Sequence, residues 1–490
     1  MTNKIFVGDS ITNQNAYLKK NNKYIFLNKL IASGVTKERY VTEENEDQNE
    51  LYISKEVDNQ TNYFNSNVDL SLNIKIARNQ IATTIIYRYF KGRILYLYDS
   101  KYVSQVTTLR EHREGQGYEI TMKDVTAKEV SEIQTIINET HGLTPIKYIL
   151  IFGSTHDIPT YMKPIDEAYA ETIFNATATT AGSDVTYGHI NGNYEIVVGR
   201  LSSGDPIYSN TYRELTNREK IQYVENQVNK ILAYEGQIDE LQENQTSDYS
   251  WAKKIIGVAS AEGSITYHHG AGIDGLGDHD FMRTEMKKYY DMNKGFSYTE
   301  LFNNEMPQET QIIDATMDND KEGNPADYDL VNAINEGSPL MLYAGHADEV
   351  SLSTTRFNIY DVFNLTNKDK YFLGCLVGCS VGSHDEKYIS LAELLQVAPE
   401  RGSIAIFGST VLQTWQPPQH MMRKLNDEII DAISEKKIKT IGELFKSAVS
   451  APVFSQPMNG LGRDPDFWFY HIFGDPATRY LPTEPNLYLS

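Results

Sequence analysis

The stretch "LGCLVGCSVGSHD", residues 373–385, contains Cys375 and Cys379, the two cysteines of the whole chain. If "YFLGCLVGC" is a buried strand, their side chains share a face but stand about 13 Å apart, at roughly 3.3 Å per residue. A disulfide needs Cα atoms within about 7 Å, so the two are not bonded to each other. Cys375, inside the strand, reads as a small core hydrophobe. Cys379 follows the strand and falls in a Gly-containing turn, "GCSVGS". A thiol there becomes a nucleophile when an imidazole exchanges a proton with it. His346, in "YAGHADE", also sits just past an apolar run, and so does Glu262, in "VASAEG". A carboxylate on the far side of an imidazole orients it. Backbone N–H groups in the turns at 345–347 and 378–379 are of the type that holds an oxyanion. A Cys–His pair is by itself a weak pattern in a chain with 11 histidines, and a satisfied structural histidine is the plain alternative. The shared position at strand ends selects His346 and Cys379.

The elements that must position these residues alternate. "AKKIIGVASAEG", "SPLMLYAGHADE", "KYFLGCLVGCS" and "GSIAIFGSTVLQTW" read as strands. "DFMRTEMKKYY", "DYDLVNAINEG", "ISLAELLQVAP" and "HMMRKLNDEIIDAI" read as helices between or after them. The four strands lead to Glu262, His346, Cys379, and Ser409 followed by Trp415. In open α/β sheets ligands bind beyond the carboxyl ends of strands, so these ends are expected to converge on one site. Earlier in the chain, "RILYLYD", "YEITMKDV" and "IKYILIFGS" are extended. "KYVSQVTTLREHREGQG" is a helix ending near Gly117, and Thr126 with Glu129 forms a capping box for "AKEVSEIQTIINET". Asn191-Gly192 centres a hairpin-like pair before a strand that ends at Arg200. Thr216 and Glu219 cap a long helix carrying Ile221, Val224, Val228 and Ile231 at the 3.6 period. Strands alternating with helices are the signature of a parallel α/β sheet.

Residues 1–90 are rich in Asn, Lys and Tyr, with β-prone pieces such as "KYIFL" and "LSLNIKI". They read as a strand-containing N-terminal extension, an arm for an assembly partner or a prodomain-like segment. Residues 91–215 form a first α/β sub-domain and 216–485 a catalytic one. The formal net charge of −21 argues against non-specific nucleic-acid binding. No apolar run reaches the roughly 18 residues of a membrane span. The first residues show no leader pattern, so a cytoplasmic protein, or one packaged in a virion, is expected.

"YAGHADE", "LTNKDKYFLGCLVGCSVG", "GSIAIFGSTVLQTWQPP" and "FGDPATRYLP", preceded in order by "IKYILIFGSTHDIPTY", "VVGRL" and "VASAEG", resemble the gingipain family of cysteine peptidases. The resemblance covers about residues 91–485. It implies a caspase-like parallel-sheet sandwich and hydrolysis of peptide bonds after a basic residue, with a polypeptide as substrate. It implies Cys379 as nucleophile, His346 as general base and acid, and Glu262 as the acid that steadies His346. The N–H groups of Cys379 and Ala347 would form the oxyanion hole. Arginine-selective members carry an Asp after the "SAEG" segment and a Trp after the "GST" strand. Asp278, in "GLGDHDF", matches the former, with Asp280 as fallback, and Trp415 matches the latter. Lysine-selective members have an Asp just after that Trp; "WQPPQHMM" has none. The family's His-Gly-Ser-Glu is "HADE" here, and its leader and C-terminal modules are not matched.

No cofactor is required for this chemistry, and calcium is expected only as a structural ion. "DNDKEGNPADYD" places Asp318, Asp320, Glu322 and Asp329 at calcium-loop-like spacing, but with Asp at the last position and Pro325 within it an acidic loop is the favoured reading. His268, His269 and His279 lack regular metal-ligand spacing. The alternative class of function is a structural protein of a virion or intracellular assembly that retains the peptidase fold; the intact Cys, His and Glu argue for an enzyme. An esterase or acyltransferase would use the same dyad.

Overall fold

The computed structural model describes residues 91–165, 180–206, 213–244, 250–262, 272–292, 294–303, 324–413, 416–435, 437–451 and 466–480, and the backbone strands within residues 1–90. The chain divides into two units, residues 1–93 with 110–120 and residues 94–109 with 121–490. In the first, the strands form two four-stranded sheets. One orders Asn3–Lys4, Asp69–Ile76, Thr83–Tyr89 and Glu38–Val41, and the other Lys23–Leu30, Gln14–Lys20, Glu50–Val57 and Gln60–Asn65. Every pairing in them is antiparallel.

The second unit is organised by a ten-stranded sheet. Its strands in chain order are β1 (Gly92–Tyr98), β2 (Tyr118–Asp124), β3 (Tyr148–Phe152), β4 (Val197–Leu201), β5 (Lys254–Ala259), β6 (Ser297–Phe302), β7 (Leu340–Ala344), β8 (Phe372–Val377), β9 (Ser403–Ser409) and β10 (Tyr470–Phe473). The spatial order is β2-β1-β3-β4-β10-β9-β8-β7-β5-β6. Helices α1 (Val103–Gly115), α2 (Val130–Leu143), α3 (Asn217–Asn244), α4 (Asp278–Asp291), α5 (Asp327–Glu336), α6 (Leu391–Val397), α7 (Gln416–Glu435) and α8 (Ile441–Val449) alternate with these strands. The architecture is the caspase-like α/β one expected, with a strand-containing N-terminal region.

The sheet is mostly parallel, with one reversal in its middle. β4 runs parallel to β10, and β10 runs antiparallel to β9. The strands β5 to β9 therefore run opposite to β1, β3 and β4, so the two groups aim their carboxyl ends at opposite edges. The strand reading of "RILYLYD", "IKYILIF", "KKIIGVA", "PLMLYA", "YFLGCLV" and "SIAIFGS" holds, because these are continuous apolar runs wholly or largely buried on both faces. β6 and β10 carry no strong run of that kind, and the sequence reading did not separate them out.

Local signals succeed where their partners are local. Thr216 and Glu219 do close a reciprocal box at the start of α3, with N–H to side-chain distances of 2.8 and 3.3 Å. Val224, Val228 and Ile231 of that helix are buried. His189–Ile190 and Asn193–Tyr194 pair across Asn191-Gly192, both at positive φ (50° and 84°), as a primed turn requires. The box expected at Thr126 and Glu129 is displaced by one turn. The Glu132 carboxylate accepts the Glu129 N–H at 3.0 Å, and Thr126 Oγ1 instead accepts the Ser100 N–H at 2.8 Å. Ala127, at φ 55°, breaks the backbone between them.

Apolar clusters of described residues flank the sheet in this unit. One joins Leu95, Leu97, Ile149 and Ile151 to Ile133 and Ile137 of α2. Another joins Met341, Tyr343, Leu376 and Ile406 to Leu394 and Leu395 of α6. Each fully buried side chain of this size contributes about 1.5–3 kcal/mol, enough to hold the strand ends in place. Among the described residues no helix is long and apolar enough to cross a membrane.

Candidate active site

β5, β7 and β8 are consecutive neighbours in the sheet and all parallel. Glu262, His346 and Cys379 follow their carboxyl ends in that order. The ends are laced together: the Ser260 N–H donates to Ala344 O at 2.9 Å and the Gly345 N–H to Val377 O at 3.2 Å. A Cβ on Gly378 would stand 2.7 Å from the Ala347 Cβ, so the turn carrying Cys379 abuts the turn carrying His346, and glycine permits that approach.

Cys375 and Cys379 are both free thiols, Cys375 buried and Cys379 partly exposed. Burial pushes the Cys375 thiol far up, which leaves it inert. Burial also raises the Cys379 thiol and the nearby charge of Glu349 adds to this, but the Gln413 N–H opposes them by donating to Sγ at 3.3 Å. The Gln413 side chain is itself anchored, since its amide donates to Ser409 Oγ. Ser409 is wholly buried and serves as this brace rather than facing a ligand. The next residue after Cys379, Ser380, has φ 52°, a left-handed conformation that surrounding contacts must hold.

His346 presents a side chain 63% exposed, with Nε2 2.8 Å from Glu262 Oε2. Its backbone is fixed from behind. Its carbonyl accepts the Ser353 N–H at 2.9 Å and also the hydroxyl of buried Tyr343. Ala347 forms a bridge with Leu352. The Glu262 loop is fixed likewise, with its N–H on Ser260 Oγ (3.1 Å) and its carbonyl accepting the Asp278 N–H (2.9 Å).

Asp278 is the first residue of α4 and is only 2% exposed, so it is no solvated loop acid. Its carboxyl accepts Ser260 Oγ at 2.6 Å and Gln419 Nε2 at 3.0 Å. Burial, reinforced by the Glu262 charge, pushes its pKa up to about 7 against the opposing Ser260 hydrogen bond. Asp280, half-buried on the same helix, is raised by burial too. Trp415, His268 and His269 lie outside the described residues. His279 stacks on Phe302, with ring centroids 5.1 Å apart. Of the calcium-loop residues, Asp318, Asp320 and Glu322 lie outside the described residues. Asp329 is described, and there its carboxylate accepts the Ala326 N–H at 2.8 Å at the start of α5. Among the described residues no group of three or more His, Cys, Asp or Glu is placed to hold a metal ion.

Ser260, Tyr343, Gln413 and Gln419 support the site and were not singled out from the sequence. Gln413 stands two residues before Trp415 in a segment already noted, which was a usable signal. Gln419 had none, because its contact with Asp278 depends on how α7 packs against α4.

The model of peptidase family C25 matches residues 88–481. Gingipain R2 of Porphyromonas gingivalis is 23% identical over 410 residues, covering 80% of this chain and 47% of that protein. Gingipain R1 of the same organism is 22% identical over 400 residues, covering 79% of this chain and 34% of that protein. The chain thus spans about half or less of the length of these curated relatives. Among solved structures, the Arg-specific cysteine proteinase gingipain R superposes with a TM-score of 0.61 at 20% identity, over 79% of this chain and 78% of that one. The complex of Porphyromonas gingivalis RgpB pro- and mature domains gives 0.60 at 20% identity, over 79% of each chain. At these identities the structural likeness establishes the fold.

Proposed function

This chain belongs to peptidase family C25, and on that premise we propose that it is a cysteine endopeptidase cleaving after arginine. In this reading Cys379 is the nucleophile, His346 the acid–base and Glu262 its orienting carboxylate. The observation that carries the reading is the Glu262–His346 pair at 2.8 Å, on strand ends adjoining the one that leads to Cys379.

With Nε2–H committed to Glu262, His346 Nδ1 is left to take the Sγ proton. The thiolate attacks the scissile carbonyl carbon, an S–C bond forms, and the C=O electron pair moves onto oxygen. The Cys379 and Ala347 N–H groups then hold that oxyanion. Collapse breaks the C–N bond, and the leaving amine takes the proton from His346. A water next gives its proton to His346 and adds to the thioester. The thiolate departs, leaving a carboxylic acid and the regenerated dyad. The Gln413 N–H on Sγ favours the thiolate against its burial.

Asp278 is the acid proposed for the specificity pocket, with Trp415 as a wall. Each of its oxygens accepts one hydrogen bond from the protein, which leaves lone pairs for a bidentate guanidinium. Its pKa of about 7 means the free enzyme loses this proton as pH rises through neutrality. Only the carboxylate form attracts a guanidinium, so kcat/KM for arginine substrates is expected to rise across that range, and Asp278→Asn to remove the rise.

The test is a fluorogenic peptide panel varying only the residue before the bond, run with and without calcium and with Cys379→Ala as control. Arginine-selective turnover that vanishes in the variant is expected. Absence of turnover under every condition would sink the reading in favour of a scaffold that keeps the fold.

A further inference from the structure

Behind the Cys379 turn lies a buried charged cluster to which the peptidase reading assigns no role. His384, five residues after the nucleophile, is 1% exposed. Its Nδ1 faces Gly382 O at 3.2 Å and its Nε2 faces Asp184 Oδ2 at 3.4 Å, an ion-pair distance rather than a short hydrogen bond. Nδ1 has its hydrogen-bond acceptor in Gly382 O, whereas Nε2 makes no hydrogen bond and meets Asp184 only as a charge; an imidazolium both donates to Gly382 O and carries the charge that Asp184 attracts. Asp184 also takes a bidentate pair from Arg200, at 2.7 Å for each nitrogen. The neighbouring ring is in the opposite state. His471 Nε2 accepts the Asp184 N–H at 3.0 Å, so His471 is neutral, and its centroid lies 4.8 Å from that of His384.

The segment holding His384 is fastened at further points. Gly382 N–H donates to Ser409 O at 2.8 Å and Ser383 N–H to Ser380 O at 3.0 Å. His384 O accepts Thr155 Oγ1 at 2.8 Å, and the Asp385 carboxylate accepts the Gly182 N–H at 2.6 Å. The first of these bonds ties the nucleophile turn to the end of β9, and the last two tie it to the segment between β3 and β4. Ser380, strained at φ 52°, sits at the start of this fastened stretch.

We propose that His384 is a positioning residue for the nucleophile. As an imidazolium bridging Gly382 O and Asp184, it fixes the backbone from Ser380 to Ser383 and so the aim of Cys379 and its N–H. The inference rests on Cys379 being the nucleophile. The groups that face His384 are Asp184 and Asp385, which favour its charge, and Arg200, which opposes it. Glu393 and neutral His471 lie in the same cluster. Burial lowers the His384 pKa, but Asp184 outweighs burial and the net shift is upward.

Hydrogen exchange of the Gly382 and Ser383 amides in the full chain tests this without relying on turnover. In the unmodified protein, protection is expected to fall about tenfold between about pH 6 and about pH 9 as the imidazolium deprotonates. In His384→Gln it should be low at both pH values. In turnover assays His384→Gln should lower kcat about tenfold or more and leave KM within about twofold, because misaim affects the transition state and not binding. Protection independent of pH in the unmodified protein would overturn the proposal, and so would a His384→Gln protein with near-normal protection and kcat. Alkylation of Cys375 reports global unfolding. If His384→Gln fails that check, Thr155→Val, which removes one tether from the same segment, should show the same loss in milder form. Failure of the peptidase reading would appear separately, as an unmodified protein that exchanges as expected but cleaves nothing.

Discussion

Two strand-end clusters of this chain each hold a carboxylate but put it to opposite uses. Beyond β3 and β4, in "GSTHD" and "SSGD", Asp157 is buried and surrounded. It accepts from Tyr102 Oη at 2.6 Å, from Lys220 Nζ at 3.1 Å, from Ser203 Oγ and from Lys101 Nζ. Burial would raise its pKa, but these donors win and hold its carboxyl well below the usual range. Beyond β5, β7 and β8, Glu262 and His346 make one strong contact with each other, His346 is largely exposed, and Cys379 receives a single weak donor. A carboxylate with every lone pair engaged is a structural brace. An imidazole with one nitrogen anchored and one open can move protons. What separates the two carboxylates is the number of partners around each group.

The largest expected effect tests that division directly. Cys379→Ala should lower kcat/KM by about ten-thousandfold or more in the arginine peptide assay. Asp157→Asn is the mirror experiment. It should lower stability by about 1.5–3 kcal/mol in denaturant unfolding, because it weakens the hydrogen bonds that four donors make to a buried charged carboxylate, yet leave kcat close to normal. A large loss of kcat at unchanged stability would break the comparison. Glu262→Gln should follow, lowering kcat about ten- to a hundredfold through a mis-set His346 without a comparable loss of stability. The pH dependence of melting sharpens it further. Asp157 has a depressed folded pKa, so its contribution is present above its unfolded pKa of about 3.9 and lost as pH falls through the folded value. The acid side of the unmodified protein's melting curve should therefore be steeper than that of Asp157→Asn. Smallest of all, Cys375→Ala should change kcat by no more than about twofold and lower stability by about 1 kcal/mol, as for a small core truncation. A large loss of activity there would reassign the nucleophile.

Much of the frame was legible in the chain. The apolar runs identified the strands that carry Glu262, His346 and Cys379, because a strand buried on both faces must be apolar along its length. The distinction between Cys375 and Cys379 was also legible, since one falls inside the run and the other beyond it in a glycine turn. The capping box expected at Thr126 was displaced because a positive-φ Ala127 intervenes, and nothing in "VTAKEV" announces that turn. Of the acidic run at 318–329, the described residue Asp329 has its carboxylate at a helix start.

By itself, then, the sequence determined which segments become strands, which turns follow them, and which cysteine stands outside the sheet. These depend on local hydrogen bonding and on the period of apolar residues. Only the tertiary structure decided that β10 inserts between β4 and β9 and reverses the sheet's direction, since strand order is settled by packing among distant segments. It also decided that Gln413 meets Sγ, that Gln419 and Ser260 bury the carboxyl of Asp278, and that Asp184 reaches His384. Each of those contacts joins residues from different elements. The distance between them is set by the whole stack of helices on the sheet, and no stretch of sequence contains it.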